Sequence, residues 1–186
     1  CGTTNPEFLR EHILKGDYDL GISFDGDGDR ILLVTKTGQI LDGDDLLYLL
    51  SKNITQESGV VGTLMTNKAL ELYFKEKNID FCRADVGDKY VLKRLVEEGW
   101  ILGGEPSGHI ICLDASQTGD AIIAALKILD VIKDNGFNID DSINGFDKFP
   151  QTLINLSVND PNKIILKDRF WSEVTLIEKK LGEKGR

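Results

Sequence analysis

Three aspartates alternate with two glycines over five positions of this chain, and an arginine closes the run: Asp25-Gly26-Asp27-Gly28-Asp29-Arg30. Apolar, strand-like segments lead in (residues 20–24) and out (residues 31–34). Like charges repel, and Asp and Gly are both poor strand formers. A chain that crowds carboxylates in this way between two strands needs something positive to offset the cost, and a hard divalent cation is the first candidate.

Two blander readings compete. A solvated acidic turn would explain one Asp-Gly pair, since such pairs are common in hairpins, but it explains three alternating aspartates poorly. A calcium-binding EF-hand loop also begins with alternating Asp, yet it requires Gly at its sixth position and a bidentate Glu at its twelfth. Here those positions hold Arg30 and Lys36. What remains is a small oxygen-lined site suited to Mg²⁺, which takes a few carboxylates and completes its shell with water or phosphate. Gly26 and Gly28 let the backbone curl so that Asp25, Asp27 and Asp29 converge. Arg30 cannot ligate a cation and reads as a second positive group suited to a phosphate.

The rest of the chain alternates strand and helix. Residues 4–15 read as a helix with Pro6 in its first turn and Gly16 at its end. Strands at 19–24, 31–35 and 40–41 then enclose the acidic loop and a turn at 36–39. Asp42-Gly43-Asp44 supplies an N-cap for a helix over 45–53. Strands follow at 59–64, 80–84 and 110–113. Helices follow from Thr66 or Asn67 to Lys77, from a cap at Asp88 to Gly99 (Val91, Leu92, Leu95 and Val96 on one stripe), and from Thr118-Gly119-Asp120 to Asn135. Residues 140–145 form at most one helical turn. Beyond a break at Phe149-Pro150, a strand at 153–158 and a helix capped by Asp168 complete the pattern, with Phe170, Val174, Ile177 and Leu181 on one face. The predicted class is α/β: an α/β/α layered domain on a mixed sheet, flanked by partial units.

Two further loops carry polar groups. Gly103-Gly104-Glu105-Pro106-Ser107-Gly108-His109 holds a carboxylate, a hydroxyl and an imidazole between glycines. A plain hairpin turn accounts for it equally well by itself. As a site it would clamp vicinal hydroxyls, with Glu105 accepting, Ser107 donating or accepting, and His109 bonding a hydroxyl or a phosphate. Val86-Gly87-Asp88-Lys89-Tyr90 lies at a helix N-terminus, where Lys89, and Arg83 before it, could reach a phosphate.

The net charge of −9 argues against nucleic acid as a partner. Cys1, Cys82 and Cys112 are odd in number and lack CxxC spacing, a pattern of a reducing, cytoplasmic setting without disulfides or a zinc site. Cys82 and Cys112 lie in apolar strand contexts and read as core residues. The longest apolar stretch, 121–132, is interrupted by Lys127 and Asp130 and is too short to span a bilayer. The opening Cys-Gly-Thr-Thr-Asn-Pro, without Met, fits an excised piece.

Together the two loops resemble the α-D-phosphohexomutase family: Asp25-Gly26-Asp27-Gly28-Asp29-Arg30 looks like its metal-binding loop, and Gly104-Glu105-Pro106-Ser107-Gly108-His109 like its sugar-binding loop. Val60-Val61-Gly62-Thr63-Leu64-Met65-Thr66-Asn67, Val86-Gly87-Asp88-Lys89-Tyr90-Val91, and Leu113-Asp114 with Thr118-Gly119-Asp120 narrow the match to the branch that acts on a phosphorylated hexosamine. Branches acting on mannose or glucose phosphates usually carry His where Asp88 stands, and Asp85 departs from the common pattern. The resemblance implies four domains in the complete protein. Residues 1–42 would end the second domain with its metal loop. Residues 43–147 would be the third, with the sugar-binding loop, and 148–186 the start of a truncated fourth. It also implies that a phosphoserine gives its phosphoryl group to a sugar phosphate, that the bisphosphate reorients, and that the other phosphate returns to the serine. Asp25, Asp27 and Asp29 would hold Mg²⁺, Arg30 would stabilise the transferring group, and Glu105, Ser107, His109, Asp88 and Lys89 would bind substrate. The phosphoserine loop and the distal phosphate-binding loop have no counterpart in these residues, so the chain alone is expected to be inactive. Its partners would be the missing domains of the same protein, with a homodimer as a candidate assembly and neither nucleic acid nor membrane involved.

Overall fold

A computed structural model describes residues 2–55, 58–133, 136–160, 163 and 167–185. The acidic run is a hairpin connection. β1 (Leu20–Phe24) and β2 (Ile31–Thr35) pair antiparallel from Leu20↔Thr35 to Phe24↔Ile31, and β3 (Ile40–Leu41) continues the sheet beside β2. The backbone N–H of Asp25 meets the Arg30 carbonyl at 3.3 Å and closes the loop. Helix α1 (Glu7–Lys15) packs on this sheet through Ile13, which is buried with Leu32 and Val34. It starts three residues later than its sequence suggests, because Pro6 takes the N-cap position instead of the first turn.

The second sheet has the order β5-β4-β6-β7: β5 (Phe81–Ala84), β4 (Val60–Thr63), β6 (Leu102–Gly104) and β7 (Ile110–Cys112). β4 runs parallel to β5 and β6, and β6 turns back antiparallel into β7. Gly103 and Gly104 are therefore strand residues, paired with Ile111 and Ile110, and only residues 105–109 form the loop. An added Cβ on Gly103 or Gly104 would press on neighbouring backbone carbonyls, so these glycines serve close packing.

Helices α2 (Gly43–Ser51), α3 (Lys68–Lys77), α4 (Asp88–Glu98) and α5 (Ala121–Lys133) complete the layers, with the short α6 (Ile139–Ile143) beside α2. Every residue of α2 is buried. An apolar helix buried on all sides belongs between layers, and α2 packs on β6, α5, β3 and α6. One core cluster runs from Ile31, Leu33 and Leu41 through α2 to Leu70, Phe74, Ile110, Ile128 and Ile132. The core thus runs without a break from β2 and β3, before residue 42, into α2 after it. Asp42 caps α2 in a reciprocal capping box with Asp45.

Several boundaries differ from the sequence reading. Asp88 is the first residue of α4 and not its cap; Gly87 holds the cap position with φ +127 and offers no side chain. Val96 is exposed, so the apolar stripe of α4 narrows to Val91 and Leu95, with Leu92 partly buried. Asp120 caps α5 by accepting from the N–H groups of Ile122 and Ile123; the expected end of that helix at Asn135 lies outside the described residues. The strand expected at 153–158 is absent: Leu153, Ile154 and Leu156 are all exposed, and the segment pairs with no strand among the described residues. Helix α7 (Asp168–Leu181) forms as expected, but Lys167, not Asp168, holds its cap position, and none of its residues is buried. Cys112 is buried and Cys82 half-buried, both as free thiols, while Cys1 lies outside the described residues. Among the described residues no helix is long and apolar enough to cross a membrane.

Candidate functional site

The hairpin brings Asp25, Asp27 and Asp29 together: one carboxylate oxygen from each lies within 4.8 Å of the others. Asp25 Oδ1 accepts from the N–H groups of Asp29 and Arg30, both at 3.1 Å, which fixes the curl of the loop. Burial pushes the Asp25 carboxyl up, but those backbone donors and the Arg30 charge outweigh it and hold it below the usual range. Asp29 is raised, first by burial and then by the neighbouring Asp25 carboxylate, with His109 pulling the other way. Asp29 Oδ1 is buried without a hydrogen-bond partner. A buried acceptor left open beside two more carboxylates fits a hard cation and fits a solvated turn badly. Arg30 is exposed, with Nε 3.8 Å from Asp25 Oδ2 and 3.9 Å from Asp29 Oδ1.

The second loop lies directly against the first. His109 Nδ1 is 3.1 Å from Asp29 Oδ2, across 80 residues of sequence. Arg30 and His109 form an isolated antiparallel bridge, and the Ile31 N–H donates to the Gly108 carbonyl at 3.0 Å. The other flank of the loop rests on the start of α2, where the Gly43 N–H donates to the Pro106 carbonyl. Glu105 Oε1 accepts from the Gly87 N–H at 2.8 Å and so draws in the third loop. Half-buried Glu105 and exposed Ser107 thus stand on one connection with buried His109. Asp88 and Lys89 are exposed at the start of α4, and the Lys89 ammonium lies 4.7 Å from the Tyr90 ring centre. The hydrogen bond to the Glu105 loop from this stretch comes from the Gly87 backbone.

Sequence reasoning placed the carboxylates, the glutamate and the histidine but missed the backbone that joins them. Gly43, Gly87 and Gly108 looked like ordinary turn or cap glycines. Arg83, considered as a phosphate contact, is committed elsewhere: it pairs with Glu71 at 2.8 Å and donates to the Thr63 and Thr66 carbonyls.

Known proteins share both the sequence and the fold. Residues 42–149 match the family model described as phosphoglucomutase/phosphomannomutase, alpha/beta/alpha domain III. A phosphoglucosamine mutase of Psychrobacter cryohalolentis is 53% identical over 160 residues, which is 86% of this chain and 35% of that protein. The chain therefore spans about a third of that relative's length. A phosphoglucomutase/phosphomannomutase family protein from Burkholderia thailandensis superposes with TM-score 0.70 at 26% identity, over 81% of this chain and 34% of its own. The N-acetylphosphoglucosamine mutase of Aspergillus fumigatus, solved with GlcNAc-6P and magnesium, shares the fold with TM-score 0.65 at 19% identity, over 90% of this chain and 44% of that one.

Proposed function

The chain belongs to the phosphoglucomutase/phosphomannomutase family, and from that premise we propose that it forms the metal- and sugar-binding part of a phosphoglucosamine mutase. The complete protein would interconvert glucosamine 6-phosphate and glucosamine 1-phosphate. Residues 1–42, 43–147 and 148–186 would belong to its second, third and fourth domains. The observation that carries the proposal is the contact between the two loops: a triad of carboxylates with one open buried oxygen, hydrogen-bonded to the loop that presents Glu105 and Ser107. The preference for a hexosamine rests on the identity to the Psychrobacter enzyme.

Each group has work suited to its chemistry. Asp25, Asp27 and Asp29 would hold Mg²⁺, which when bound would neutralise charge on the phosphoryl group being transferred. Arg30, exposed beside them, would meet the same phosphate as a bidentate donor. Glu105, with Oε1 held by Gly87, keeps Oε2 for sugar hydroxyls, and Ser107 adds a hydroxyl on the same connection. A clamp that reads hydroxyls accepts the sugar in either orientation, as a mutase that returns the second phosphate requires. Asp88 and Lys89 would contact the substrate from the start of α4. Free Cys82 and Cys112 fit a reducing compartment, and the cytoplasm is the proposed location.

Titration of the chain with Mn²⁺, read by calorimetry or electron paramagnetic resonance, tests the metal assignment. Asp27→Ala should weaken binding by about tenfold or more, at least the loss that follows removal of an outer-shell partner; an unchanged affinity would remove Asp27 from the site. In a coupled assay the 186-residue chain should not turn over glucosamine 6-phosphate, because the resemblance supplies no phosphoserine loop within it. Turnover by the chain alone would refute that division of labour. Faster conversion of mannose or glucose phosphates by the full-length protein would move it to another branch of the family.

A further inference from the structure

We propose that His109 is a positioning residue of the metal loop: through Nδ1 it fixes the Asp29 carboxylate so that the open Oδ1 faces the cation, and Gly119 keeps the space the ring needs. The proposal rests on the Mg²⁺ assignment above. It assigns His109 a different partner from the sugar or phosphate that its sequence context suggests.

His109 is only 6% exposed, so its ring is not presented to solvent. Both of its sides are accounted for. Nδ1 lies 3.1 Å from Asp29 Oδ2; where Asp29 is ionised, as a metal ligand must be, that oxygen can only accept and Nδ1 is the donor. At the opposite edge the ring fills the space over Gly119, where an added Cβ would overlap Nε2, Cε1 and Cδ2. The backbone at both ends of the ring is pinned as well. The His109 carbonyl accepts from the Glu105 N–H at 3.0 Å, and His109 bridges to Arg30. With Oδ2 engaged by the imidazole, Asp29 has one free rotational choice fewer, and Oδ1 is the oxygen left open. Ligand-orienting hydrogen bonds of this kind set metal affinity because a loose carboxylate must be ordered on binding.

The same contact gives Thr118-Gly119-Asp120 a purpose beyond capping α5. The Ala121 N–H, in the first turn of that helix, donates to the Gly28 carbonyl at 3.0 Å, in the middle of the acidic loop. Asp120 meanwhile occupies the next two N–H groups, those of Ile122 and Ile123. The start of α5 therefore braces the loop twice: by a backbone bond at Gly28, and by the His109 ring wedged between Gly119 and Asp29. A larger residue at 119 would push the ring toward Asp29, although it touches neither metal nor substrate.

Two measurements test this on the 186-residue chain. In the metal-free protein, long-range ¹H–¹⁵N spectra of the imidazole should show His109 protonated on Nδ1, and Asp29→Ala should shift that signal; an Nε2-protonated ring would overturn the proposal. Mn²⁺ affinity should fall about tenfold or more in His109→Phe, which keeps the buried ring and removes the donor, and in Gly119→Ala. His109→Asn, whose amide nitrogen can stand where Nδ1 stood, should recover affinity to within about threefold of the wild type. Unchanged Mn²⁺ affinity in His109→Phe would overturn the positioning role while leaving the metal site in place. No Mn²⁺ binding by the wild type would instead overturn the metal assignment, and this proposal with it. Circular dichroism melts of each variant separate a lost site from a lost fold.

Discussion

Gly108→Ala is expected to lower the unfolding midpoint of this chain by about 6–12 °C, while Gly26→Ala, in the acidic loop itself, leaves it within about 1 °C. Gly108 has φ +91, where an L side chain costs about 1–2 kcal/mol. A Cβ there would also run into the Ile31 carbonyl, with the carbonyl carbon and the nitrogen of Ile31 just behind it at 3.1 and 3.3 Å. These are backbone atoms of a fully buried strand residue, so no side chain can swing away. Relief requires parting β2 from the loop, which breaks the Ile31–Gly108 hydrogen bond and draws His109 off Asp29. Strain and lost contacts together amount to about 3 kcal/mol, and a protein of this size shifts by about 2–4 °C per kcal/mol. Gly26 has nothing within 4 Å of its Cβ position and no positive φ. Gly43→Ala should resemble Gly108→Ala, because its Cβ would strike the Glu105 carbonyl from the other side of the same loop. Thermal melts of the three variants decide the matter; a Gly108→Ala protein that melts within 2 °C of the wild type would mean that the loops are not locked together.

That contrast also marks what could be read in the chain beforehand. Features with local causes were legible. Apolar runs bounded by Gly and Asp located the strands β1, β2, β4, β5 and β7, and Asp42, Asn67 and Asp120 signalled the starts of α2, α3 and α5. The acidic hairpin was legible because repulsion among adjacent charges is a sequence-local cost. Contacts across the chain were not. Nothing near Gly108 announces that Ile31 will sit against it, and nothing near Asp88 reveals that Gly87 gives its N–H to Glu105. Asp88 was misplaced by one residue because an Asp at a helix start satisfies the cap pattern equally well from the first turn, where it still meets the helix dipole. The strand expected at 153–158 failed for a related reason. Its alternating apolar residues carry strand propensity, but a strand needs a neighbour, and among the described residues this segment pairs with none.

Asp44→Asn should raise stability at pH 8 by up to about 4 kcal/mol and change it little at pH 4. Asp44 sits in the first turn of α2 with 1% of its surface exposed. Its Oδ2 accepts from the Asn67 N–H at 2.8 Å, and its Oδ1 is buried without a hydrogen-bond partner. Burial raises its carboxyl from the usual 3.8 to about 7; the Asn67 N–H and Lys148 pull it down, and the charges of Asp42 and Asp45 push it up. The folded protein therefore holds this proton more tightly than the unfolded chain does. Below pH 3.8 both states are protonated and no cost arises. As pH rises toward 7 the unfolded chain ionises freely while the folded one resists, so stability falls across that window and the full cost stands above it. An asparagine keeps an acceptor for the Asn67 N–H and never ionises, so the variant escapes the loss. Asp45, raised to about 6 chiefly by burial, pushes the wild type in the same direction. It is a poorer target, because it also accepts from Lys148 at 2.6 Å and from the Asp42 N–H at 2.9 Å. Lys148 reaches Asp42 as well, at 2.8 Å, and the Phe149 N–H donates to Asn67 Oδ1 at 3.0 Å. The strained carboxylate thus belongs to the fastening that holds residues 148–149 against the starts of α2 and α3. Urea unfolding of wild type and variant from pH 4 to 8 gives the comparison directly. A stability difference that stays constant across that range would mean that Asp44 titrates as an ordinary carboxylate, and the cost would then have to be sought in packing.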